Sequence, residues 1–285
     1  MVATVTTPTP AISINITTPQ NGASISGATV AVFGTFQGSP NSGINVNGTV
    51  AATLGNQFVA VVSVVAGTNQ ITVTSTAQDG TIATQSLTIT ATGTPPAVQL
   101  KVEPNVGVAP HQVTVTIPAI PNRTSAQTQI DFNGDGIVDT TVNILNTTVA
   151  YTYPAAGIYL AKTTLNDNAG GIYTQTFPIV VGDVVTLDTM LKGIFTGMLG
   201  KLKTGDIQDA LKAFTPSAVE QYRPVFEDLG PNLATAVDQF GTIVDGAISE
   251  EFAEYVLVRN KGAGKQAYLI YFFRGGDGVW RISQM

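Results

Sequence analysis

The feature that most constrains this chain is its hydrophobic period, which turns from two to helical after Val184 and back to two for the last strands. From Ile12 to Thr92 apolar and small polar residues alternate in short runs, among them "ISINITTP", "ATVAVFGTF", "INVNGTV", "QFVAVVSV", "NQITVTSTA" and "ATQSLTITA", with Gly, Asn and Asp between them. A period of two sends successive side chains to opposite faces, so each run reads as a half-buried strand. Short strands at this spacing, without a helical period, predict a β-sandwich. Residues 96–182 repeat the same logic. After Val184 the period becomes helical: Leu187, Met190, Leu191, Ile194, Met198, Leu199 and Leu202 fall on one stripe of "VVTLDTMLKGIFTGMLGKLKTGD". Asp206 and Thr215, the latter followed by Pro216, read as caps of two further helices. Strands then return in "GTIVDGAI", "EFAEYVLVRN", "QAYLIYFFR" and "GVWRISQM".

A chain of 285 residues, 44% hydrophobic and 11% charged, is too long for a single core. The expected division is a Thr/Pro-rich linker over residues 1–11, sandwiches over 12–93 and 96–182, and an α+β unit over 184–285, with breaks at "TGTPPA" and "VGDV". Charge follows this division. Residues 1–100 hold no Lys or Arg and one acid, Asp79, whereas residues 184–285 hold ten basic and twelve acidic residues. With a net charge of −6 and no Lys/Arg cluster, neither nucleic acid nor an anionic membrane is an expected partner. No run of eighteen apolar residues occurs, so no membrane insertion is expected. Cysteine is absent, which excludes disulfides, thiolate nucleophiles and Cys-type zinc sites.

The order "P-x-N-G-x-x-I-x-G" from Pro19, "VNGTVA", then the F-x-A-x-V strand, the G-x-N-x-I-x-V hairpin and the A-x-D-G turn resembles the bacterial immunoglobulin-like module called glucodextranase domain B. That resemblance implies a spacer or accessory module of a secreted protein, without an active site. Phe33, Phe36 and Phe58 are read as core, since no Trp or Tyr accompanies them as a sugar platform. The G-x-x-P-x-x-V-x-V edge, the "DFNGDG" core and the Y-x-Y-x-x-x-G-x-Y pair in residues 96–182 resemble a PKD domain, with Gln129-Ile130 where that family has Trp. Tyr151, Tyr153 and Tyr159 are read as packing across the sheet. Helices followed by a curved sheet ending in "GDGVWRI" resemble the NTF2-like (cystatin-like) α+β cone. That fold hosts enzymes, carriers and silent dimerisation modules, so it names no activity. It commonly pairs through its sheet, which implies a homodimer.

The densest chemistry lies in "DFNGDGIVD". Asp131, Asn133, Asp135, the Ile137 carbonyl and Asp139 fall at positions 1, 3, 5, 7 and 9 of a D-x-[DN]-x-D-G-x-x-D calcium loop, with Gly136 at the tight turn. Val142 stands at position 12, where an EF-hand places a bidentate Glu, so the expected Ca²⁺ is structural and modestly held. The alternative is a turn that needs no ion. Calcium is placed ahead because a turn alone has no evident use for Asn133 and Asp139. His111 is the only histidine and is read as a strand or surface residue. No catalytic residue is assigned. A cone pocket would be lined by Tyr222, Phe226, Tyr255, Tyr271 and Phe273, with Asp245 or Glu254 as candidate acid or base.

The resulting expectation is a non-catalytic, extracellular or cell-surface modular protein. Two Ig-like spacers would present the α+β unit to a protein or surface glycan. The alternatives are an accessory region of a polysaccharide-acting secreted enzyme, and a small-molecule enzyme or carrier in the last unit.

Overall fold

The structure, a computed structural model, describes residues 12–261 and 264–285; the linker expectation for residues 1–11 lies outside them. Residues 13–91 form nine strands: β1 (Ser13–Thr18), β2 (Ser24–Ile25), β3 (Thr29–Gln37), β4 (Gly43–Val46), β5 (Thr49–Val50), β6 (Ala52–Leu54), β7 (Gln57–Ser63), β8 (Gly67–Thr76) and β9 (Ile82–Ala91). They build two sheets, ordered β1-β3-β7-β6 and β2-β9-β8-β4-β5. The alternation read from sequence fixes the facing sides. Val30, Val32 and Phe36 of β3 and Phe58, Ala60 and Val62 of β7 meet Ile44, Val46, Ile71, Val73 and Ile89 of the second sheet in one core. Phe33 has the opposite parity and leaves this core.

Eight strands follow: β10 (Lys101–Glu103), β11 (Val106–Val108), β12 (His111–Ile117), β13 (Ala126–Asp131), β14 (Thr140–Val142), β15 (Thr147–Tyr153), β16 (Gly157–Asp167) and β17 (Ile172–Gly182). Their sheets, β10-β12-β15 and β11-β17-β16-β13-β14, enclose Val102, Val113, Val115, Ile130, Phe132, Tyr153, Ala161, Ile179 and Val181. The tyrosines pack as a ladder: Tyr151 stacks on Phe132 at 4.0 Å, and Tyr153 lies 4.9 Å from Tyr151 and 4.5 Å from Tyr159. The Tyr153 hydroxyl donates to the Phe132 carbonyl (2.8 Å), and burial raises its pKa. Ile130 is fully buried. His111 is buried too, its ring over Gly107 and its Nε2 3.0 Å from the Pro104 carbonyl oxygen. These sheets make the fold, from residue 13 to 182, that of Ig-like β-sandwiches.

From Val184 the chain forms α1 (Val184–Lys203), α2 (Ile207–Leu211), α3 (Pro216–Leu229), a 3₁₀ turn, α4 (Leu233–Val237), and then β18 (Thr242–Ile248), β19 (Phe252–Lys261), β20 (Gly264–Arg274) and β21 (Trp280–Gln284). Asp183, Asp206 and Thr215 cap the first three helices through side-chain oxygens, as their residue types dictate. Leu191, Ile194, Phe195, Met198 and Leu202 of α1 pack with Phe226, Tyr255, Ile270, Phe272 and Ile282. The antiparallel sheet runs β18-β19-β20-β21, and its other face carries Phe252, Leu269 and Phe273, exposed by 41%, 42% and 45%.

The sequence places these segments in a string, but in the structure they touch. Phe33, Ala52, Leu54 and Val59 of the first sandwich meet Val106, Ile158 and Val180 of the second in a shared apolar cluster. The first sandwich also meets the terminal sheet. The Asn41 amide spans the Trp280 peptide, accepting from its N–H (2.9 Å) and donating to its carbonyl (2.8 Å). Asn45 Nδ2 donates to the Gly276 carbonyl (2.9 Å) and Arg274 Nη2 to the Ala51 carbonyl (2.9 Å). Backbone meets backbone here, because a Cβ at Gly43 would fall 2.1 Å from the Asp277 carbonyl oxygen.

Candidate functional site

Where the three segments meet they leave a cleft of about 1410 Å³. One wall is the 39–42 loop and β6, an edge strand of its sheet; the second is β11, also an edge strand, with Val180 and Gly182. The third is one face of α1, from Val185 through Met190, Gly193 and Gly197 to Lys201. Ser249, Glu250, Arg274 and Trp280 complete the rim. The lining is mainly apolar, and its volume exceeds the roughly 300–1,000 Å³ of common small-molecule pockets.

Most charged groups here have structural duties. Asp183 accepts from the N–H groups of Val185 (3.1 Å) and Thr186 (3.2 Å) and from the Thr186 hydroxyl, which holds its carboxyl below the usual range. Lys201 is ion-paired with Asp209 at 3.2 Å. Lys212 and then Lys201 hold the Asp209 carboxyl low. Glu250 and Arg274 differ. Burial raises the Glu250 pKa and lowers that of Arg274, each against the stabilising charge of the other. Arg274 Nε donates to the Gly278 carbonyl (3.2 Å) and Nη2 to that of Ala51. Sequence reasoning missed this cleft, since its walls come from distant loops and short edge strands. The one local signal was the pair Gly193 and Gly197 inside an amphipathic helix.

The aspartate loop joins β13 to β14 and is organised by its own backbone. Asp131 accepts from the N–H groups of Gly134 (2.7 Å) and Gly136 (2.8 Å), Asn133 from Asp135 N (2.9 Å), Asp135 from Ile137 N (2.8 Å), and Asp139 from Phe132 N (2.7 Å). Asn133 and Asp139 thus have uses that an ion-free turn requires. The donor chemistry, all hard oxygen, suits Ca²⁺. The geometry is less favourable: among the described residues no group of three or more His, Cys, Asp or Glu side chains is arranged to hold a metal. Ile137 is exposed at the loop tip.

The residues proposed for a cone pocket do not meet. Tyr222, Phe226 and Tyr255 are buried between helices and sheet; the Tyr222 hydroxyl donates to the Met285 carbonyl and that of Tyr255 to Asp188 Oδ1 (2.9 Å). Tyr271 and Phe273 sit on the opposite face of β20, with Tyr271 against Phe252 at 5.6 Å. Asp245 is exposed on β18, where it accepts from Gly246 N (2.8 Å). Alternation explains the split: odd-numbered residues of β20 face away from the helices. No helix among the described residues is long and apolar enough to cross a membrane.

No protein-family model matches the chain, and no curated protein matches it. Among solved structures, fibronectin(III)-like modules of Clostridium thermocellum CbhA overlap 60% of this chain and 95% of their own at 11% identity and a TM-score of 0.25. A chimeric titin Z1Z2 overlaps 61% and 98% at 15% identity and a TM-score of 0.24. The Bacteroides ovatus mixed-linkage glucan utilization locus protein SGBP-B, in complex with a mixed-linkage heptasaccharide, overlaps 61% and 48% at 17% identity and a TM-score of 0.21. Overlaps this slight carry no functional inference, and the sandwich description rests on the sheets.

Proposed function

We propose that this chain is a non-catalytic modular binding protein of the cell surface or extracellular space. In this reading two Ig-like sandwiches, of the glucodextranase domain B and PKD kinds, and an NTF2-like α+β domain over residues 184–285 close around a ligand cleft. The observation that supports it is the cleft itself, to which all three segments contribute. Apart from Glu250, whose carboxyl is raised by burial, its charged groups cap a helix, pair with one another or hold backbone carbonyls, which suits recognition. Ca²⁺ in the 131–139 loop is a structural accessory in this proposal, held at the millimolar affinities of extracellular modules.

A neutral apolar dye, Nile red, tests the cleft. Wild-type protein should enhance its emission saturably, and Gly197→Leu, which places a side chain in open space above α1, should abolish most of that signal. Equal enhancement by both proteins would remove the cleft as the binding site.

The outer face of the terminal sheet favours a second element, a homodimer. Phe252, Leu269 and Phe273 there are apolar and exposed. Light scattering across a wide concentration range should show dimer, and Leu269→Lys should return monomer. A monomer throughout would sink that pairing.

A further inference from the structure

Of the two cations in the cleft wall, Lys201 is paired with Asp209, and Arg274 has no charged partner in direct contact among the described residues. Its Nε and Nη2 each hold a backbone carbonyl, of Gly278 and Ala51. Among the described residues no carboxylate comes within 4 Å of it, and its Nη1 takes no hydrogen bond. Glu250 and Glu251 act on it only at longer range, and burial works against its charge. A guanidinium has five N–H donors, so three remain unused. Arg274 is half-buried and its free donors open into the cleft, where a carboxylate fits such a fork through two parallel hydrogen bonds.

The floor of the same cleft points to the rest of the ligand. Gly193 and Gly197 lie one turn apart on α1, where glycine destabilises a helix relative to alanine. Nothing in the described structure requires them: a Cβ at either position meets no atom within 4 Å. Met190 and Ile194 flank them in the lining. Two glycines that clear a groove on an apolar helix face allow an alkyl body to lie close to the helix backbone.

We propose that the cleft binds an amphiphile with one carboxylate head, the head on Arg274 and the alkyl body along α1 over Gly193 and Gly197. This rests on the cleft being the ligand site. The test is calorimetric titration of the full chain with dodecanoate, dodecanol and dodecyltrimethylammonium, each below its micellar concentration. Dodecanoate should bind at one site per chain, at least tenfold tighter than dodecanol and tighter still than the cation. Arg274→Gln should erase the tenfold advantage and leave dodecanol unchanged, whereas Gly197→Leu should weaken both. Dodecanoate and dodecanol of equal affinity in the wild type would overturn the head assignment while leaving the cleft. Absence of any binding sensitive to Gly197→Leu would overturn both. Because Arg274 also holds Ala51 and Gly278, emission of the single tryptophan, Trp280, reports whether Arg274→Gln keeps the fold. If that emission shifts, the wild-type ranking of the three head groups decides.

Discussion

Two Asp-Gly loops of this molecule, "DFNGDGIVD" at 131–139 and "RGGDGVWR" at 274–281, look alike in composition and do opposite things. In the first, every acidic side chain turns onto the loop's own N–H groups, and the tip is left to solvent. In the second, Asp277 also secures its own turn, accepting from Val279 N (3.1 Å) and pairing with Arg281 at 2.7 Å. Burial works against that carboxylate, but Arg281 and the Val279 N–H prevail and hold its pKa below the usual range. The turn so fixed presents its backbone to another sheet. Gly278, at φ +82°, lies against Gly43, and the Trp280 peptide is read by Asn41, 239 residues away in sequence. A self-contained loop is therefore conspicuous in sequence, while a loop that joins two parts of the molecule is not.

The strongest way to break this contrast is to add bulk at the backbone contact. Gly43→Val would place its Cβ 2.1 Å from the Asp277 carbonyl oxygen and 2.3 Å from the Gly278 carbonyl carbon, neither of which can rotate away. Overpacking of this kind should cost about 3 kcal/mol and release the 275–280 turn. Trp280, now 5% exposed, should then emit to the red. The matching change in the other loop, Gly136→Ala, meets no atom within 4 Å but must adopt φ +88°. It should cost about 1 kcal/mol and leave Trp280 emission unchanged. Identical effects of the two would mean that the turn is not docked in solution.

A smaller loss is expected from Asn41→Ala, which removes both hydrogen bonds to the Trp280 peptide and leaves that buried N–H and carbonyl unpaired. About 2 kcal/mol should be lost, read as a lower denaturant midpoint with an unchanged slope. An unaltered midpoint would show that water takes over the role of Asn41 without penalty.

What the sequence revealed follows the same division. The period of two predicted strands whose core residues, such as Val30, Val32, Ile71 and Val73, fall as expected, and the helical stripe and caps of α1 to α3 follow from local chemistry. Phe33 departs from the sandwich core because parity within one strand does not tell which of its two faces a neighbouring unit will cover. Residue type alone groups Tyr271 and Phe273 with Tyr222 and Tyr255, whereas their register sends them to the other face. The cleft was illegible for a further reason: its walls are edge strands and glycines whose role depends on partners far away in the chain.

A third turn sharpens the self-capping half of the comparison. Asp167 accepts from Arg123 Nε (2.8 Å), Gly171 N (2.7 Å) and Ala169 N (2.9 Å). Chiefly through Arg123, and then through Gly171, its pKa is lowered to about 2. A folded value below the unfolded value of about 3.9 means that its stabilising contribution is complete above pH ~4 and is lost as pH falls towards 2. Melting curves of wild type and Arg123→Gln should therefore converge as pH falls through that window. A gap that persisted at pH 2 would show that Arg123 acts through packing instead.

The effect expected of calcium on the 131–139 loop is modest and falls between those of Asn41→Ala and Gly136→Ala. Each carboxylate oxygen that holds an N–H keeps a second lone pair, so an ion could be shared without breaking the turn, and it would relieve repulsion among Asp131, Asp135 and Asp139. The loop is already closed by those N–H bonds, however, and Val142 stands where a strong site has Glu, so the ion has little left to organise. With a Kd of about 10⁻⁴ to 10⁻³ M, millimolar calcium reaches at most about a tenfold excess, worth roughly 1.4 kcal/mol. That moves a melting temperature by only a few degrees. Melts of the full chain in 1 mM calcium and in chelator should differ by that amount, and Asp135→Asn should erase the difference. Coincident melts in the wild type would leave the loop as a turn capped by its own side chains, with no ion in its design.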